Sequence, residues 1–290
     1  PAHPHLAAKA DVDLDVDWTY VSQAYLDDWL ARVGELIDDY HPDLIFFDWW
    51  IGHATFRNQL ASLAAYYYNQ GAARGTGAVI DYKLDAMPDD AGTLDVERGQ
   101  LGEIRARHWQ TDTSVSNTSW GYIEHDSFKS PDFIVHMLAD VVSKNGNLLL
   151  NIGPRADGTI PDEVRGVLLA VGGWLKVNGE AIYGSSPWKR YGEGPTRAGA
   201  GMFQEGGIKP YTSEDFRFTS KGSTLYAIEL NWPAGGHALI RSLATGTPVG
   251  RVTLLGAGAS VPFRQDAEGL HLELPAQPAG VHAYVYRIDP

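Results

Sequence analysis

The stretch His41-Pro42-Asp43-Leu44-Ile45-Phe46-Phe47-Asp48-Trp49-Trp50 decides the fold. Leu44 to Phe47 is an unbroken apolar run entered through a proline, the pattern of a parallel strand covered on both faces. It stops abruptly at a carboxylate followed by two indoles. The carboxyl ends of parallel strands form the reactive face of barrel and open α/β folds, so Asp48 stands where chemistry is done. A strand-end aspartate can equally cap the next helix or join a structural ion pair, and for an arbitrary one that reading comes first. Trp49 and Trp50 move the balance. Indoles make a flat apolar wall that desolvates a neighbouring carboxylate and stacks on a sugar ring.

Working outward, the residues before this strand read as a helix. Tyr25, Leu26, Trp29, Leu30, Val33, Leu36 and Ile37 fall on one stripe between Val21 and Tyr40. After the strand, Phe56 to Tyr68 is a second helix closed by Gln70 to Gly75, and Ala78 to Lys83 is another short strand. This alternation predicts an α/β layer. Thr93 to Gly99 is a brief extended piece that carries a second exposed carboxylate, Glu97, against Arg98. His108 to Asp112 and Thr118 to Tyr122 are polar and aromatic segments of the kind that line a pocket at strand ends. Pro131 to Ser143 is helical, and Gly146 to Pro154 is the clearest buried strand, punctuated at both ends. Pro161 opens a helix that runs to about Val177.

Beyond Tyr183 the texture changes. Gly192 to Gly201 is linker-like, and from Phe216 onward only short alternating strands appear: Phe216 to Thr219, Thr224 to Leu230, Arg251 to Leu255, Leu270 to Leu274 and Val281 to Ile288. They predict a small antiparallel β-sandwich. A boundary near Tyr191 divides the chain into residues 1–190 and 191–290.

The 290 residues carry a net charge of -13, nine Trp, 14 Tyr and no Cys. An acidic chain without clustered Lys and Arg excludes nucleic acid as a partner. Without cysteine there is no disulfide frame, thiolate metal site or thiol nucleophile. No apolar run approaches the roughly 20 residues that span a bilayer, so no membrane anchor is expected. The start, Pro1-Ala2-His3-Pro4-His5, has no initiator Met and no basic-then-apolar leader. A targeting segment is therefore read as absent or removed, which leaves secreted, periplasmic and cytoplasmic locations open. Asp11 to Asp17 alternates acid and apolar residues but lacks the spacing of a calcium loop, so neither metal nor cofactor is expected. Aromatic wealth with little positive charge suits a neutral carbohydrate.

Glycoside hydrolysis requires a pair of carboxylates. One, ionised, attacks or stabilises the anomeric carbon, and the other, held protonated, donates to the leaving oxygen. Asp48 and Glu97, at the ends of separate extended segments, can supply such a pair, although any domain this size has many carboxylates. In a retaining enzyme the two lie about 5–5.5 Å apart.

Several motifs narrow the choice. Pro42 to Asp48, Ser119-Trp120-Gly121-Tyr122, Val142-Ser143-Lys144-Asn145-Gly146-Asn147-Leu148-Leu149-Leu150-Asn151-Ile152-Gly153-Pro154 with Asp157-Gly158-Thr159-Ile160-Pro161, and Trp174-Leu175 through Asn178-Gly179-Glu180-Ala181-Ile182-Tyr183 occur in this order. The chain thus resembles the α-L-fucosidases of glycoside hydrolase family 29 from about Val21 to Trp188, most specifically over Asn147 to Pro161. The resemblance implies a (β/α)8 TIM-like barrel followed by a β-sandwich, and retaining hydrolysis through a covalent fucosyl-enzyme. It places the nucleophile at Asp48 and the acid/base at Glu97, with Glu103 in reserve and Glu124 more distant. Trp49 and Trp120 match walls of the fucose pocket, and Lys83 falls near a basic sugar-binding position. His108, although beside Trp109, reads as a loop hydrogen-bonder rather than a ligand. The implied substrate is a fucosylated oligosaccharide or glycoconjugate.

The chain also departs from the family pattern. Three barrel strands precede the family's nucleophile strand and bring a paired-His motif, which His3 and His5 do not reproduce. Residues 1–190 supply about five of the eight strands of such a barrel. An open sheet exposes edges and apolar faces. The expectation is therefore a partial barrel lacking its first strands, completed by an N-terminal piece or a second copy. A non-catalytic carbohydrate-binding remnant and an exo-glycosidase of different sugar specificity are the alternative readings. Linkage, aglycone, oligomeric state and transfucosylation are not legible in the sequence.

Overall fold

In the computed structural model, which describes residues 21–278 and 280–290, the segment ahead of Asp48 folds as its spacing predicts. Asp11 to Asp17, His3 and His5 lie outside the described residues. Helix α1 (Gln23–Tyr40) begins at Ser22, whose hydroxyl accepts from the Tyr25 amide, and ends on His41 at φ 49. Leu26 and Ile37 of its apolar stripe are buried, whereas Tyr25 and Leu36 remain exposed, so the stripe is wider than the surface it covers. Strand β1 (Leu44–Phe46) follows, then helix α2 (Arg57–Arg74). α2 continues beyond Tyr68 until Gly75, whose φ of 69 closes it in the conformation that glycine adopts without strain.

Contact density separates a unit ending at Asp95 from one beginning at Val96. In the first, β1, β2 (Val79–Lys83) and β3 (Thr93–Asp95) pair in parallel in that order. Ile37, Leu63, Tyr67 and Ile80 form its core, joined by Ile45 and Phe47. The two remaining apolar side chains of the β1 stretch do not follow the expectation of a strand covered on both faces. Leu44 is 47% exposed and Phe46 37%. Successive strand residues point to opposite faces, and here the helical layer covers the Ile45 and Phe47 face.

The second unit contains the parallel pair β4 (Trp109–Ser114) and β5 (Gly146–Asn151), with α3 (Pro131–Ser143) between them and α4 (Asp162–Asn178) after them. β5, expected to be buried, leaves Leu149 47% exposed. β4 is the reverse, a polar strand buried along its whole length. Its Trp109 indole donates to the Lys144 carbonyl at 2.9 Å, and the Thr111 hydroxyl lies 2.6 and 2.7 Å from the Val96 and Gly99 carbonyls. Buried polar groups that find such partners carry little penalty.

Antiparallel strands make up the rest: β6 (Ser186–Glu193), β7 (Phe216–Lys221), β8 (Thr224–Glu229), β9 (His237–Ile240), β10 (Arg251–Leu254), β11 (Ala259–Ser260), β12 (Phe263–Gln265), β13 (Leu270–Glu273) and β14 (Tyr284–Asp289). They form a six-stranded sheet ordered β11-β10-β14-β8-β7-β6 and a three-stranded sheet ordered β12-β13-β9, with Phe216, Ile240, Val252 and Leu270 in the core. β6 runs through Tyr191 and forms one edge of the larger sheet. The architecture is therefore an α/β segment with parallel strands, followed by a β-sandwich.

A buried charge cluster ties α3 to this sandwich. Asp140 accepts from Lys144 Nζ at 2.6 Å and from Arg217 Nε at 2.5 Å, and all three side chains are essentially inaccessible. Lys144 also donates to the Leu101 carbonyl, which fills the valences that burial would otherwise leave unmet. No helix of the described residues is long and apolar enough to cross a membrane.

Candidate active site

Asp48 follows β1 immediately and is exposed. One carboxylate oxygen accepts from the Trp49 amide at 2.8 Å and caps the 3₁₀ turn Trp49–Gly52, so the residue does perform the capping role open to any strand-end aspartate. The turn has a second effect. It stacks the Trp49 and Trp50 rings, whose centroids are 5.7 Å apart at an interplanar angle of 22°, directly after the carboxylate in the chain. An anionic acceptor next to a flat apolar wall suits a sugar, which presents hydroxyls at its rim and C–H groups on its faces.

Lys83 lies in the same unit but is 2% exposed. Its ammonium is 3.0 Å from Asp95 Oδ1 and 5.4 Å from the Phe46 ring centroid. Lys83 and Asp95 are register partners at the carboxyl ends of neighbouring parallel strands, which accounts for their meeting. The lysine is thus buried as an ion pair beneath the strand ends.

In the second unit, Glu97 occupies a turn and is half-buried, less open than its sequence context suggests. The Val96 amide donates to the Gln110 carbonyl at 2.9 Å and the Arg98 amide to the Asp112 carbonyl at 2.8 Å, which aligns this stretch with β4. Arg98 takes φ 44, an uncommon conformation for a residue with a side chain. Its guanidinium lies 4.4 Å from the centroid of the Trp120 ring. The structure therefore brings Trp120 to the residue after Glu97. Glu103 and Glu124 are both exposed, Glu124 in a turn.

Trp120 is 37% exposed and sits on the loop that follows β4. Asn151, the last residue of β5, donates from Nδ2 to the Trp120 carbonyl at 2.7 Å and to Ser114 Oγ at 3.0 Å. Gly153 lies so close beneath the loop that a Cβ there would come within 2.8 Å of Gly121 backbone carbon. Physical reasons for the Asn147 to Pro154 pattern follow: its leucines build the strand, while Asn151 and Gly153 fasten the tryptophan loop. Sequence reasoning quoted Asn151 and Gly153 without giving them a role, and missed Lys129 and Glu205. Lys129 Nζ donates to the Ser114 and Ser116 carbonyls at 2.8 and 3.0 Å, and burial holds it below the ordinary lysine range against the opposing pull of Glu205. Glu205 had no signal, because it lies in a glycine-rich stretch far along the chain.

Comparison with known proteins agrees with these motifs. Residues 3–180 match the model of the alpha-L-fucosidase family, and residues 209–289 match that of the alpha-L-fucosidase C-terminal domain. The chain is 32% identical over 256 residues to a human tissue alpha-L-fucosidase, covering 86% of this chain and 51% of the relative. To an alpha-L-fucosidase of Branchiostoma floridae it is 30% identical over 266 residues, covering 89% and 55%. It thus spans about half the length of the curated relatives it matches. A solved alpha-fucosidase of Thermotoga maritima in complex with fucose superposes with a TM-score of 0.73 at 28% identity, over 94% of this chain and 58% of the other. Another solved alpha-L-fucosidase gives a TM-score of 0.76 at 28% identity over 94% and 59%.

Proposed function

The chain belongs to the α-L-fucosidase family, and from that membership we propose that it carries out, or supplies the central residues for, retaining hydrolysis of terminal α-L-fucosides. The observation that carries the reading is the exposed Asp48 carboxylate at the end of β1, followed at once by the stacked indoles of Trp49 and Trp50. In this mechanism an Asp48 oxygen attacks the anomeric carbon as the glycosidic bond breaks. Glu97 gives its proton to the departing oxygen, so that the aglycone leaves as a neutral alcohol and a fucosyl ester forms on Asp48. Glu97, now ionised, takes a proton from water, whose oxygen attacks the same carbon and frees Asp48. Configuration is retained because it inverts twice.

Glu97 is favoured over Glu103 because it is half-buried beside a residue that meets Trp120, whereas Glu103 is exposed. Trp49 and Trp120 are proposed to pack on the apolar side of fucose, including its methyl group, and buried Lys83 to organise the strand ends through Asp95. The proposed substrate is a fucosylated oligosaccharide or glycoconjugate, in keeping with a structural relative solved with fucose bound. The proposal also divides the chain functionally near Tyr191, with catalysis assigned to residues 1–190. Completion of the barrel by a further polypeptide segment or a second copy is part of the reading, and the exposed Leu44, Phe46 and Leu149 support it.

The test is hydrolysis of an aryl α-L-fucoside by the chain, with its solution mass recorded on the same sample. Asp48→Ala is expected to lower turnover by roughly 10⁴-fold or more, the scale seen when a nucleophile is removed. Turnover unaffected by this change would overturn the assignment. A folded protein that binds fucose without turnover would leave a carbohydrate-binding role.

A further inference from the structure

The Glu97 segment is held along both edges. On one side, the amides of Val96 and Arg98 bond to β4. On the other, the Phe203 amide donates to the Glu97 carbonyl at 2.8 Å, the Glu205 amide to the Arg98 carbonyl at 3.0 Å, and the Gly201 amide to the Gln100 carbonyl at 2.8 Å. A length of chain about a hundred residues away therefore acts as an added strand edge for the segment that carries the proposed acid/base. The approach is close enough that a Cβ on Gly99 would fall 1.9 Å from the Gly201 carbonyl oxygen, so only glycine fits there.

Side chains lock this contact. Glu205 Oε1 is 3.0 Å from Arg98 Nη1 and 3.0 Å from Lys129 Nζ, and Oε2 accepts from the Thr113 hydroxyl at 2.5 Å. None of the three charged side chains is more than 12% exposed. Arg98 in turn donates to the Ser116 and Asn117 carbonyls, both at 3.4 Å, and to the Ser119 carbonyl at 3.1 Å, while its plane covers Trp120. One carboxylate thus neutralises two buried cations, one of which holds the Trp120 loop and adjoins Glu97 in the chain.

We propose that Glu205 is a positioning residue for the acid/base step: through Arg98 it fixes the Glu97 segment and the Trp120 wall in register. The inference rests on the assignment of Glu97 as acid/base. Removing the Glu205 carboxylate takes from Arg98 and Lys129 the counter-charge they share, leaving the weaker pull of Asp126 on Lys129, and loosens the backbone edge laid against the strained Arg98 turn. Glu97 then stays in the chain but loses its aim, and misplacement of about 1 Å is enough to cost about 10²-fold in rate.

The consequence is selective, because an acid matters only when the leaving group needs a proton. The test compares kcat/KM for phenyl and 2,4-dinitrophenyl α-L-fucosides in wild type, Glu97→Ala, Glu205→Ala and Glu205→Gln, with hydrogen exchange measured across residues 97–100 in each. Glu205→Ala is expected to lose about 10²-fold on the phenyl substrate and less than about 5-fold on the dinitrophenyl one, the pattern of a weakened general acid. Exchange in 97–100 should quicken by about tenfold or more, and Glu205→Gln, which keeps the shape and loses the charge, should fall between. Equal loss on both substrates, or no loss, would overturn the positioning role. If Glu97→Ala itself treats both substrates alike, the assignment of Glu97 fails. The contact is then judged by exchange alone: quickening upholds it, and unchanged exchange removes it.

Discussion

β1 and β4 are both short parallel strands, yet their chemistry and burial are opposed. β1 consists of Leu, Ile and Phe and is covered mainly at Ile45, while β4 contains Gln, Thr, Asp, Thr and Ser and is buried at every position. The difference lies in what surrounds each strand. β1 has a helical layer against the face that Ile45 and Phe47 share. β4 is paired along its length with β5, and its polar side chains meet carbonyls and charged partners, among them Val96, Gly99 and Glu205. Burial follows coverage, and polarity inside is tolerated where each group is bonded.

The largest test concerns a polar group that lacks full satisfaction. Glu229 on β8 is inaccessible; its Oε2 accepts from the Tyr286 hydroxyl at 2.5 Å, and its Oε1 has no partner among the described residues. Burial pushes its carboxyl up from 4.5 to about 8, against the Tyr286 hydrogen bond, which draws it down. A raised carboxyl pKa means that the folded state holds the proton more tightly. The stabilisation is complete below about pH 4.5 and is lost as pH rises through about 8. Near pH 8 the loss amounts to about 4 kcal/mol, on the scale of 1.36 kcal/mol for each unit. Denaturant midpoints for wild type should fall over this range, and Glu229→Gln should flatten the decline. A wild-type midpoint that rises with pH over this range would remove the contrast between satisfied and unsatisfied burial.

An intermediate effect is expected in β4. Thr111→Val keeps the shape of the side chain and removes the hydroxyl that serves two buried carbonyls, so a loss of about 1–3 kcal/mol is expected in chemical denaturation. A neutral or stabilising result would mean that polarity in β4 is incidental to its packing.

These contrasts explain what the sequence could disclose. Helices α1, α3 and α4 were legible within a residue or two, because their apolar periodicity, Ser and Pro starts and left-handed or glycine ends are local signals. Asp48 and Trp120 were singled out through motif resemblance and stand as proposed site residues, and Asn151 and Gly153 lay inside the quoted motifs without an evident role. Coverage is not local: no property of Leu44 or Leu149 indicates which face a helix will take. Glu205 was invisible for the same reason, since its meaning lies in Arg98, Thr113 and Lys129, which are about a hundred residues away. β6 and β9 were missed because one follows a helix through a stretch rich in charge and the other is only four residues long.

The smallest expected effect is the most direct trial of the coverage argument. Leu44→Thr keeps a side chain suited to a strand and removes apolar surface that is already half in water, so it should change stability by less than about 0.5 kcal/mol. Ile80→Thr on neighbouring β2 is the control: Ile80 is fully buried, and a hydroxyl placed there without a partner should cost at least about 2 kcal/mol. If Leu44→Thr proves as costly as its control, the Leu44 and Phe46 face must be covered in solution. Mass measurement on the same sample then separates the sources. A doubled mass that falls to the monomer value on Leu44→Thr identifies a second copy as the cover, whereas a monomer mass throughout places the covering surface within the chain itself.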